Sequence, residues 1–411
     1  MGGSGVQRPL KFVKYLRDFG WNPIVIAPEP GIYHTFDTSL QEELDALDIE
    51  VHRVKANTPF HKMGGKQRTL SIIPEWLAKS LRFVSTFFWL PDNKKGWIHP
   101  AVEKAKEVIS KTDVSAVFST AAPYSNHLIA ARLKEDTGLP VIMDLRDDWL
   151  DSHLITYPTP FHKKRMADIE RETLSKADAI TVINEDTKQG LNKRLDPRLR
   201  IMLLNQGFDP EDFNHVNQQS DETPKRLKLL YSGLFYGERN PNIFLKAISE
   251  LIEESVIKKT HIELHFQGGL NEEIVSLIDK LKLQDIVQDY GYVNHDEAIL
   301  NLLKADILWL IVGHTHKANQ VTVGKMFEYF GSGKPILGLV PEGSSKNLLE
   351  AYSASFIAEP YDLNAVKNEL SSIYKSWINE KLPKPNEAFV STFNRKHIAG
   401  ELGRLLQEVS S

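Results

Sequence analysis

A lysine and a glutamate stand close to several glycines in residues 323–338, which read VGKMFEYFGSGKPILG. The pattern predicts a glycine turn, an amphipathic helix beginning near Gly324, a second turn and a buried strand. A helix N-terminus offers free backbone N–H groups, and Lys325 adds a cation, so the segment is typical of a phosphate site. Glu328, one turn later, could accept hydrogen bonds from sugar hydroxyls. The alternative is an ordinary turn whose lysine and glutamate are solvated.

Other positions in the C-terminal half follow predicted strands. The segment GLFYGERN comes directly after the strand predicted at residues 227–231, and further turns follow the next two strands. Ligands of open α/β sheets bind at the carboxyl ends of parallel strands, so these turns are candidates for a binding site. An arginine can hold phosphate oxygens through two parallel hydrogen bonds, and a surface arginine at a helix start is the alternative for Arg239. The candidates are Gly233, Arg239, Gln267, Tyr292 and Val293.

Two polar loops in the N-terminal half stand where neighbouring strands are predicted to end. Residues 119–127 read STAAPYSNH, and residues 144–149 read DLRDDW. Carboxylates and a histidine at strand ends could orient a substrate hydroxyl or accept its proton. The alternative for the histidine is a packed or capping role. The candidates for catalysis are His127, Asp144, Arg146 and Asp147.

The second of these loops also contains a pattern found in another class of enzyme. Asp147, Asp148 and Asp151 spell DDxxD, which holds magnesium and a diphosphate in terpenoid enzymes. Those enzymes are all-helical, whereas this sequence alternates strands and helices. We therefore set the magnesium assignment aside.

The first residues form another glycine-rich segment, MGGSG, ahead of a helix predicted from Pro9 to Phe19. Small residues let a ligand approach the backbone, and a helix N-terminus favours an anion. Gly3 and Gly5 are therefore added to the binding candidates. A disordered terminus is the alternative for this pattern.

Length and composition predict a globular protein of two domains. The chain has 411 residues, of which 41% are hydrophobic and 25% charged. The net charge of -4 argues against a general nucleic-acid binder, and the absence of cysteine excludes disulfides and fits a reducing compartment. No apolar run approaches the roughly 20 residues that a membrane span needs, and no signal peptide is recognised. We predict a cytoplasmic protein, with peripheral contact to the inner face of a membrane left open.

Positive charge is concentrated in one part of the N-terminal half. Residues 51–112 contain 12 lysines and arginines against 4 acidic residues, a local excess of +8. Basic and aromatic residues together are what an anionic membrane surface attracts. The alternative is a core helix whose aromatic rings point inward beneath solvated lysines. The aromatic residues that we single out in this stretch are Trp76, Phe83, Phe87, Phe88, Trp89 and Trp97.

Strand-like and helix-like segments alternate along both halves, which predicts parallel sheets covered by helices. A polar run at residues 214–224 is typical of a linker. Two successive Rossmann-type units are the simplest account, in residues 1–205 and 206–388, with a closing helix in residues 389–411. The candidate strands lie at residues 24–27, 51–54, 116–119, 141–145, 179–183 and 201–204, then at 227–231, 262–267, 307–312, 335–340 and 355–358.

Together these motifs resemble glycosyltransferase family four, whose members have the two-domain GT-B fold. The resemblance rests on residues 323–338, on GLFYGERN, and on the two N-terminal loops, which are similar to those of a bacterial surface-polysaccharide subgroup. It extends to the closing FNRKHIAGELGRLLQEV segment, which in GT-B folds is a helix that crosses back to the first domain. The implied fold is α/β, with two Rossmann-like domains and an interdomain cleft.

The resemblance implies transfer of a sugar from a nucleotide-diphosphate sugar to a glycan or lipid-linked acceptor. Retention of configuration, independence of metals and cofactors, and a role in cell-surface polysaccharide or glycolipid biosynthesis are implied as well. Arg239 and Lys325 would face the donor diphosphate, and Tyr292 and Val293 would lie at the nucleotide. The N-terminal loops would present the acceptor.

Two positions depart from the family pattern. Leu234 stands where an arginine is usual, and Gln320 replaces the first of two glutamates, of which Glu328 matches the second. Glutamine keeps the hydrogen-bonding ability and loses the charge. These departures favour a second hypothesis, a catalytically impaired sugar-nucleotide-binding or scaffolding protein of the same fold. An epimerase or phosphorylase of this fold is a third, without a positive feature in the sequence.

The resemblance also implies a first strand ahead of MGGSG that this sequence does not contain. A Rossmann-like unit opens with a strand that leads into its glycine turn, and that strand is central in the sheet. We therefore expect a gap in the first domain between the strands at residues 24–27 and 116–119. The gap should lower stability and activity, because unpaired backbone groups are costly when buried.

Overall fold

The structure is a computed structural model, and it describes residues 4–29, 39–55, 86–151, 155, 157–214, 226–314 and 323–411. The chain divides into two units. Met1–Asn205 with Lys396–Ser411 form the N-terminal unit, and Gln206–Arg395 form the C-terminal unit. Several positions singled out in the sequence lie outside the described residues: Gly3, Trp76, Phe83, Gln320 and most of the proposed linker.

Six parallel-paired strands are described in the N-terminal unit, and helices separate most of them along the chain. The strands are β1 (Val25–Pro28), β2 (Val51–Val54), β3 (Val117–Ala121), β4 (Val141–Leu145), β5 (Ala179–Val182) and β6 (Ile201–Leu203). The helices are α1 (Gln7–Leu16), α2 (Ser39–Ala46), α3 (Ile98–Lys111), α4 (Ser125–Thr137), α5 (Pro160–Leu174) and α6 (Glu185–Arg194).

The strands of the N-terminal unit form two sheets. β1 pairs with β2, and β3, β4, β5 and β6 pair in that order, while no described strand joins β1 to β3. Strands of a parallel sheet are normally covered on both faces, and β4 and β5 are buried throughout. Every residue of β1 is only half-buried. Within the described residues β1 and β3 belong to separate sheets, and a missing strand between them remains a proposal.

One six-stranded parallel sheet organises the C-terminal unit, in the order β12-β11-β10-β7-β8-β9. The first strand in the chain is therefore central, as in doubly wound sheets. The strands are β7 (Leu227–Ser232), β8 (Ile262–Gln267), β9 (Val287–Asp289), β10 (Ile307–Ile311), β11 (Ile336–Leu339) and β12 (Ser355–Ala358). The helices are α7 (Glu211–Asn214), α8 (Asn242–Glu253), α9 (Glu272–Lys280), α10 (His295–Lys304), α11 (Lys325–Ser332), α12 (Ser344–Tyr352), α13 (Leu363–Ile378) and α14 (Glu387–Ser391).

Aromatic side chains fill the core beneath the central strands of this unit. Trp309 of β10 is fully buried and stacks on Phe244 of α8, with ring centres 4.0 Å apart. The ring of Tyr231, on β7, lies 4.7 Å from the same tryptophan. Large stacked rings bury much apolar surface and fix one another's orientation. They hold the end of β7 in place.

The last helix, α15 (Arg395–Ser410), belongs from Lys396 onward to the N-terminal unit. Its apolar face, including Ile398 and Leu402, packs in one core with Phe12 of α1 and Ile142 of β4. This helix therefore covers one face of the β3–β6 sheet, next to α1.

The alternation of strands and helices predicted from the sequence is confirmed in both units. The first helix begins at Gln7, two residues before the predicted start, and ends in a 3-10 turn, Arg17–Phe19. The short strand β9 was absent from the candidate strands because two of its three residues are exposed. Among the described helices, none combines the length and apolar character that crossing a bilayer demands.

The basic, aromatic stretch is divided between surface and core in the part that the structure describes. Phe87 and Phe88 are 46% and 65% exposed. Trp97, in contrast, is buried with α3 in a small apolar cluster. The core alternative therefore holds for Trp97 and fails for the two phenylalanines.

Candidate functional site

Glycines bring the ends of three strands close together in the C-terminal unit. Gly233 follows β7 with a φ of 121°, and its N–H donates to the carbonyl oxygen of Gln267 over 2.7 Å. The N–H of Gly268 donates to the carbonyl oxygen of Gly291, also over 2.7 Å. A Cβ atom at position 268 would stand 2.5 Å from the Gly233 carbonyl oxygen, so only glycine fits there. The carboxyl ends of β7, β8 and β9 are thus joined at the edge where such sheets bind ligands.

The side chain of Lys325 lies over this edge. α11 begins at Lys325, with Gly324 as the residue that caps it. The Nζ atom is 3.8 Å from the centre of the Tyr231 ring, a cation–π contact. A Cβ atom on Gly233 would come within 2.7 Å of Nζ, so the glycine leaves the space that the ammonium group occupies. A helix start and a cation therefore meet at the carboxyl ends of β7 and β8.

The surroundings of Lys325 disfavour its charge. Burial, and then the positive charge of Arg239, lower the pKa of the Lys325 ammonium group to about 7, while Glu328 acts in the opposite direction. A lysine in water has a pKa near 10.4, so the ammonium form is disfavoured here, chiefly because it is removed from water. A bound phosphate would supply a compensating negative charge.

Arg239 is held in a tight turn after β7. The backbones of Tyr236 and Arg239 exchange hydrogen bonds of 3.1 and 3.0 Å. The guanidinium group lies 5.1 Å from the centre of the Tyr236 ring and donates to its hydroxyl. Leu234, in the same turn, is 64% exposed, so that position brings no cation to the site.

Glu328 lies one turn along α11 among charges of both signs. Burial raises the pKa of Glu328, and the positive charges of His295 and Arg395 oppose that shift. His295 pairs with Asp212 over 2.9 Å, and this hydrogen bond raises the pKa of His295. Glu328 is therefore set among charged partners and is not a solvated surface glutamate.

The remaining candidates of this unit occupy different positions. Gln267 is buried, and its side-chain amide bonds to Ser232 over 2.9 Å and to Asn301 over 3.1 Å. Tyr292 is 83% exposed, and Val293 is half-buried. Gln267 thus supports the joined strand ends, whereas Tyr292 is open to solvent.

In the N-terminal unit, Asp144 at the end of β4 is fully buried. Arg8 donates to it over 3.1 and 2.9 Å, and the hydroxyls of Thr120 and Thr181 donate over 2.8 and 2.7 Å. Arg8 also donates to the carbonyl oxygen of Leu204, beyond β6, over 2.8 Å. Burial by itself would raise the pKa of Asp144, but the charge of Arg8 and these hydrogen bonds lower it below its usual range. The carboxylate is ionised, and protein donors occupy its oxygens.

Arg146 connects the loops at the ends of the neighbouring strands. Its guanidinium group donates to the carbonyl oxygens of Ala121, the last residue of β3, and of Ala122, which follows it, over 2.7 and 2.6 Å. It also donates to the carbonyl oxygen of Gly5. The glycine turn before α1 is thereby tied to the carboxyl ends of β3 and β4.

His127 is fully buried near the start of α4. Its Nδ1 atom is 2.8 Å from the Ser119 hydroxyl, and its Nε2 atom has no hydrogen-bond partner in the part of the chain that the structure describes. Burial lowers the pKa of His127 to about 3. The negative charge of Asp144 raises this pKa, and the positive charge of Arg146 lowers it further. The imidazole is therefore neutral around neutral pH.

The carboxylates that follow β4 gather around an arginine of α6. Asp148 receives hydrogen bonds of 2.9 and 3.0 Å from Arg194, and Glu170 pairs with the same guanidinium over 3.0 Å. The backbone N–H of Asp151 donates to Asp148 over 2.7 Å, and Asp147 is half-buried beside them. The described residues contain no cluster of three or more side chains suited to a metal ion.

Comparison with known proteins extends these observations. No family model and no curated protein matches the sequence. Among solved structures, sucrose-phosphate synthase from Thermosynechococcus elongatus is similar, with a TM-score of 0.57 and 14% identity over 94% of this chain and 99% of that one. Anabaena HepE, solved with UDP-glucose, has a TM-score of 0.53 and 13% identity, over 99% of this chain and 95% of that one. WaaB, a lipopolysaccharide outer core galactosyltransferase in its apo form, has a TM-score of 0.53 and 13% identity, over 94% of this chain and 100% of that one.

The chain has the GT-B fold. The predicted α/β class with two Rossmann-like units is thereby confirmed. Identities of 13–14% show the fold alone, so the activity has to be argued from the site.

Three contacts in these sites were not evident in the sequence. Arg8 shares a helix face with Phe12 and Tyr15, at spacings of four and seven residues, and this periodicity is the one signal that could have placed Arg8 in the interior. The pairing of His295 with Asp212 and the contact of Lys325 with Tyr231 join segments far apart in the chain. No local pattern marks such contacts.

Asp144→Asn is expected to destabilise the N-terminal unit, because it leaves the buried guanidinium of Arg8 without its counter-charge. Removing one partner of a buried ion pair costs about 3–5 kcal/mol. Because the folded-state pKa of Asp144 is lowered, its charge stabilises the fold above the ordinary aspartate pKa, and this is lost as the pH falls through the folded-state value. The free energy of unfolding, measured with denaturant at several pH values, should therefore show a difference that shrinks in acid.

The control is Asp168→Asn, which alters a surface ion pair with Arg171 and should cost less than about 1 kcal/mol. An equal loss for Asp144→Asn in acid and at neutral pH would contradict the assignment of a charged, paired Asp144.

Proposed function

We propose that the protein is a glycosyltransferase that moves a sugar from a nucleotide-diphosphate sugar to a glycan or lipid-linked acceptor. The observation that carries this proposal is the position of Lys325 at a helix start, over the glycine-joined ends of β7 and β8. Arg239 lies close enough to lower the pKa of Lys325. Two neighbouring cations at the carboxyl ends of the strands suit a ligand of high negative charge, such as a diphosphate. The GT-B fold adds context, since HepE was solved with UDP-glucose.

In the proposed reaction, negative charge develops on the diphosphate as the bond to the sugar breaks. Lys325, Arg239 and the N-terminus of α11 would stabilise that charge through groups already in place. Glu328 would accept hydrogen bonds from sugar hydroxyls, and the exposed Tyr292 would contact the nucleotide. The scheme uses neither a protein nucleophile nor a metal ion, and retention of configuration is part of the proposal.

For the N-terminal unit, we propose that the loops at its strand ends present the acceptor. The contacts of Asp144 and Arg146 support positioning roles, because both side chains are bonded to neighbouring strands and loops. Asp147, half-buried in the same loop, is the proposed acceptor of the hydroxyl proton. His127 is the second candidate for contact with the acceptor, since its Nε2 atom has no described partner; its lowered pKa suits it to accept a hydrogen bond from the acceptor hydroxyl and not to take the proton.

The biological setting that we propose is the synthesis of cell-surface polysaccharide or glycolipid on the cytoplasmic side of a membrane, within the bacterial subgroup of family four. Its support is the similarity of the N-terminal loops and of residues 323–338. A further strand between β1 and β3 belongs to the same proposal and is supported by the division of the N-terminal sheet.

A second candidate function is binding of a sugar nucleotide without turnover, as a scaffolding protein of the same fold. The observation that favours it is the exposed Leu234, which stands where the family supplies a second cation to the diphosphate. This candidate predicts donor binding with neither transfer nor hydrolysis.

An anionic membrane surface is the partner that we propose for the exposed aromatic residues. Phe88 is 65% exposed, and Phe161, at the start of α5, is 72% exposed. The ring of His162 joins the two segments, since its centre lies 4.9 Å from that of Phe87 and 5.8 Å from that of Phe161. The exposed residues 163–165, KKR, follow directly. Exposed rings beside positive charge favour an anionic bilayer.

The proposed activity is tested with a panel of uridine, guanosine and adenosine diphosphate sugars. One donor should raise the melting temperature by binding only the folded state, and should be transferred or slowly hydrolysed. Lys325→Ala should weaken that binding by about 1.5–3 kcal/mol, roughly 10- to 150-fold, the range for a hydrogen bond to a charged group. Lys246→Ala, on the exposed face of α8, is the control. Unchanged affinity in Lys325→Ala would remove this lysine from the site.

Donor binding should also depend on pH. Because the pKa of Lys325 is lowered to about 7 and a bound diphosphate would raise it, binding should take up a proton. Affinity should be highest below this value, should fall by up to about tenfold per pH unit as the pH rises from about 7 toward the pKa of the bound state, and should level off above it. Titration calorimetry at several pH values around 7 measures the donor affinity. The variant Lys325→Arg, whose charge is permanent, should show a flatter dependence of affinity on pH. A parent profile as flat as that of Lys325→Arg would contradict the role of Lys325.

The membrane proposal predicts binding to vesicles that contain phosphatidylserine, and weaker binding as salt is added. The double variant Phe88→Ser and Phe161→Ser should lower vesicle affinity by about tenfold or more, because each phenylalanine contributes roughly 1.5–3 kcal/mol when buried. Ile378→Ser, at an exposed apolar residue of the C-terminal unit, is the control. Equal binding to neutral vesicles, or no effect of the double variant, would exclude this surface as the docking site.

A further inference from the structure

The turn that carries Arg239 is fixed to the rest of the C-terminal unit at two points. It runs from Tyr236 to Arg239, with Gly237 in the left-handed region at a φ of 53°, and backbone hydrogen bonds close it. At its base, the ring of Phe235 stacks on that of Tyr231, with ring centres 4.0 Å apart. Because Tyr231 belongs to the buried aromatic core, this contact fixes the place where the turn begins.

The second point is the tip of the turn, where Glu238 contacts Tyr361. This tyrosine lies just beyond β12, and its hydroxyl donates to Glu238, whose carbonyl oxygen and Oε2 atom are both 2.9 Å away. Burial, and then the hydrogen bond and charge of Glu238, raise the pKa of Tyr361 to about 12, while a backbone hydrogen bond from His314 opposes the shift. The hydroxyl therefore keeps its proton around neutral pH and acts as a donor to the turn.

Residues that follow β10 contact the same tip. A Cβ atom on Gly313 would stand 2.8 Å from the backbone carbonyl carbon and oxygen of Glu238, so the absence of a side chain admits the turn. The ring of His314 stacks on that of Tyr361, with centres 5.3 Å apart, and its Nε2 atom pairs with Glu359. A turn that begins at the end of β7 is thus attached at its tip to the ends of β10 and β12, the latter at the edge of the sheet.

The position of this turn affects the charge around Lys325. The guanidinium group of Arg239 is held by Tyr236, which belongs to the same turn, so the guanidinium follows the turn wherever it lies. After burial, the positive charge of Arg239 is the second cause that lowers the pKa of Lys325. A displacement of the tip therefore changes both the spacing of the two cations and the proton affinity of the lysine.

We propose that Tyr361 is a positioning residue of the donor site, whose hydroxyl holds the tip of the turn and thereby sets the guanidinium of Arg239 beside the ammonium group of Lys325. Tyr361 acts through Arg239 and does not contact the donor itself. The inference rests on the proposed function for the identity of the ligand, a diphosphate. The coupling among the three side chains rests on the contacts of the turn alone.

The first test measures this coupling without a donor. The pKa of Lys325 is obtained from the pH dependence of its acetylation by trace acetic anhydride, followed by mass spectrometry of the peptide that contains it. Tyr361→Phe should raise this pKa, because the guanidinium is held less firmly beside the ammonium group. Arg239→Gln should raise it at least as far. In the Arg239→Gln background, Tyr361→Phe should have no further effect, since both changes act through one charge.

Two further variants serve as a matched disturbance and a control. Gly313→Ala should also raise the pKa of Lys325, because its Cβ atom displaces Glu238 without removing a polar group. Tyr374→Phe, on α13, removes a hydroxyl that lies 2.9 Å from the Nδ1 atom of His261, ahead of β8, and should leave the pKa unchanged. A parent-like pKa in Tyr361→Phe, or equal effects of this substitution with and without Arg239, would overturn the proposal.

The second test uses calorimetry with inorganic pyrophosphate as the probe. Tyr361→Phe should weaken its binding by about 2- to 12-fold, the range for one ordinary hydrogen bond, while Tyr374→Phe should not. If the pKa of Lys325 responds as expected but the parent protein does not bind pyrophosphate, the diphosphate site fails and the positioning of Arg239 stands. If the parent binds pyrophosphate and the pKa ignores Tyr361→Phe, the positioning role alone is overturned. The two failures are therefore distinguishable.

Discussion

The buried carboxylate of Asp144 is the point on which the N-terminal unit depends. Arg8 connects it to α1, and the hydroxyls of Thr120 and Thr181 connect it to β3 and β5. Because the charge is removed from water, each partner compensates for solvation that the carboxylate has lost, and none can be removed alone without a large cost. The ends of β3 and β4 are therefore held by an interaction that solvent does not reach, while Arg146 ties the loops beyond them to Gly5 through more exposed hydrogen bonds.

The C-terminal unit places its charge by the opposite means, which is the absence of side chains. Gly233 and Gly268 let two backbone turns approach within a distance that a Cβ atom would forbid, and the space so left receives the ammonium group of Lys325. In the N-terminal unit, the charge of Asp144 is neutralised by Arg8 and enclosed. In the C-terminal unit, the ammonium group of Lys325 lies at the sheet edge with its pKa lowered, so an added anion would be stabilised most there.

The sequence was most informative where the physical cause is local. Buried parallel strands are apolar runs, and α11 begins at Lys325 as its glycine turn indicated, so both could be predicted. From the sequence, Asp144 is a candidate catalytic carboxylate, because no local pattern distinguishes a reactive aspartate from a buried one whose oxygens all accept hydrogen bonds. Its environment is set by four donor groups that are distant in the chain. The burial of Arg8 and the contact of Lys325 with Tyr231 depend on tertiary packing in the same way.

The packing of α15 has a consequence for how the protein is made. The N-terminal unit is discontinuous in the chain, since Gln206–Arg395 lies between its main part and the helix that completes its core. During synthesis, Ile398 and Leu402 emerge only after the whole C-terminal unit, so Phe12 and Ile142 wait for their partners through that interval. The C-terminal unit is continuous and can complete its own core first. The last helix therefore makes formation of the first-synthesised unit the final step of folding.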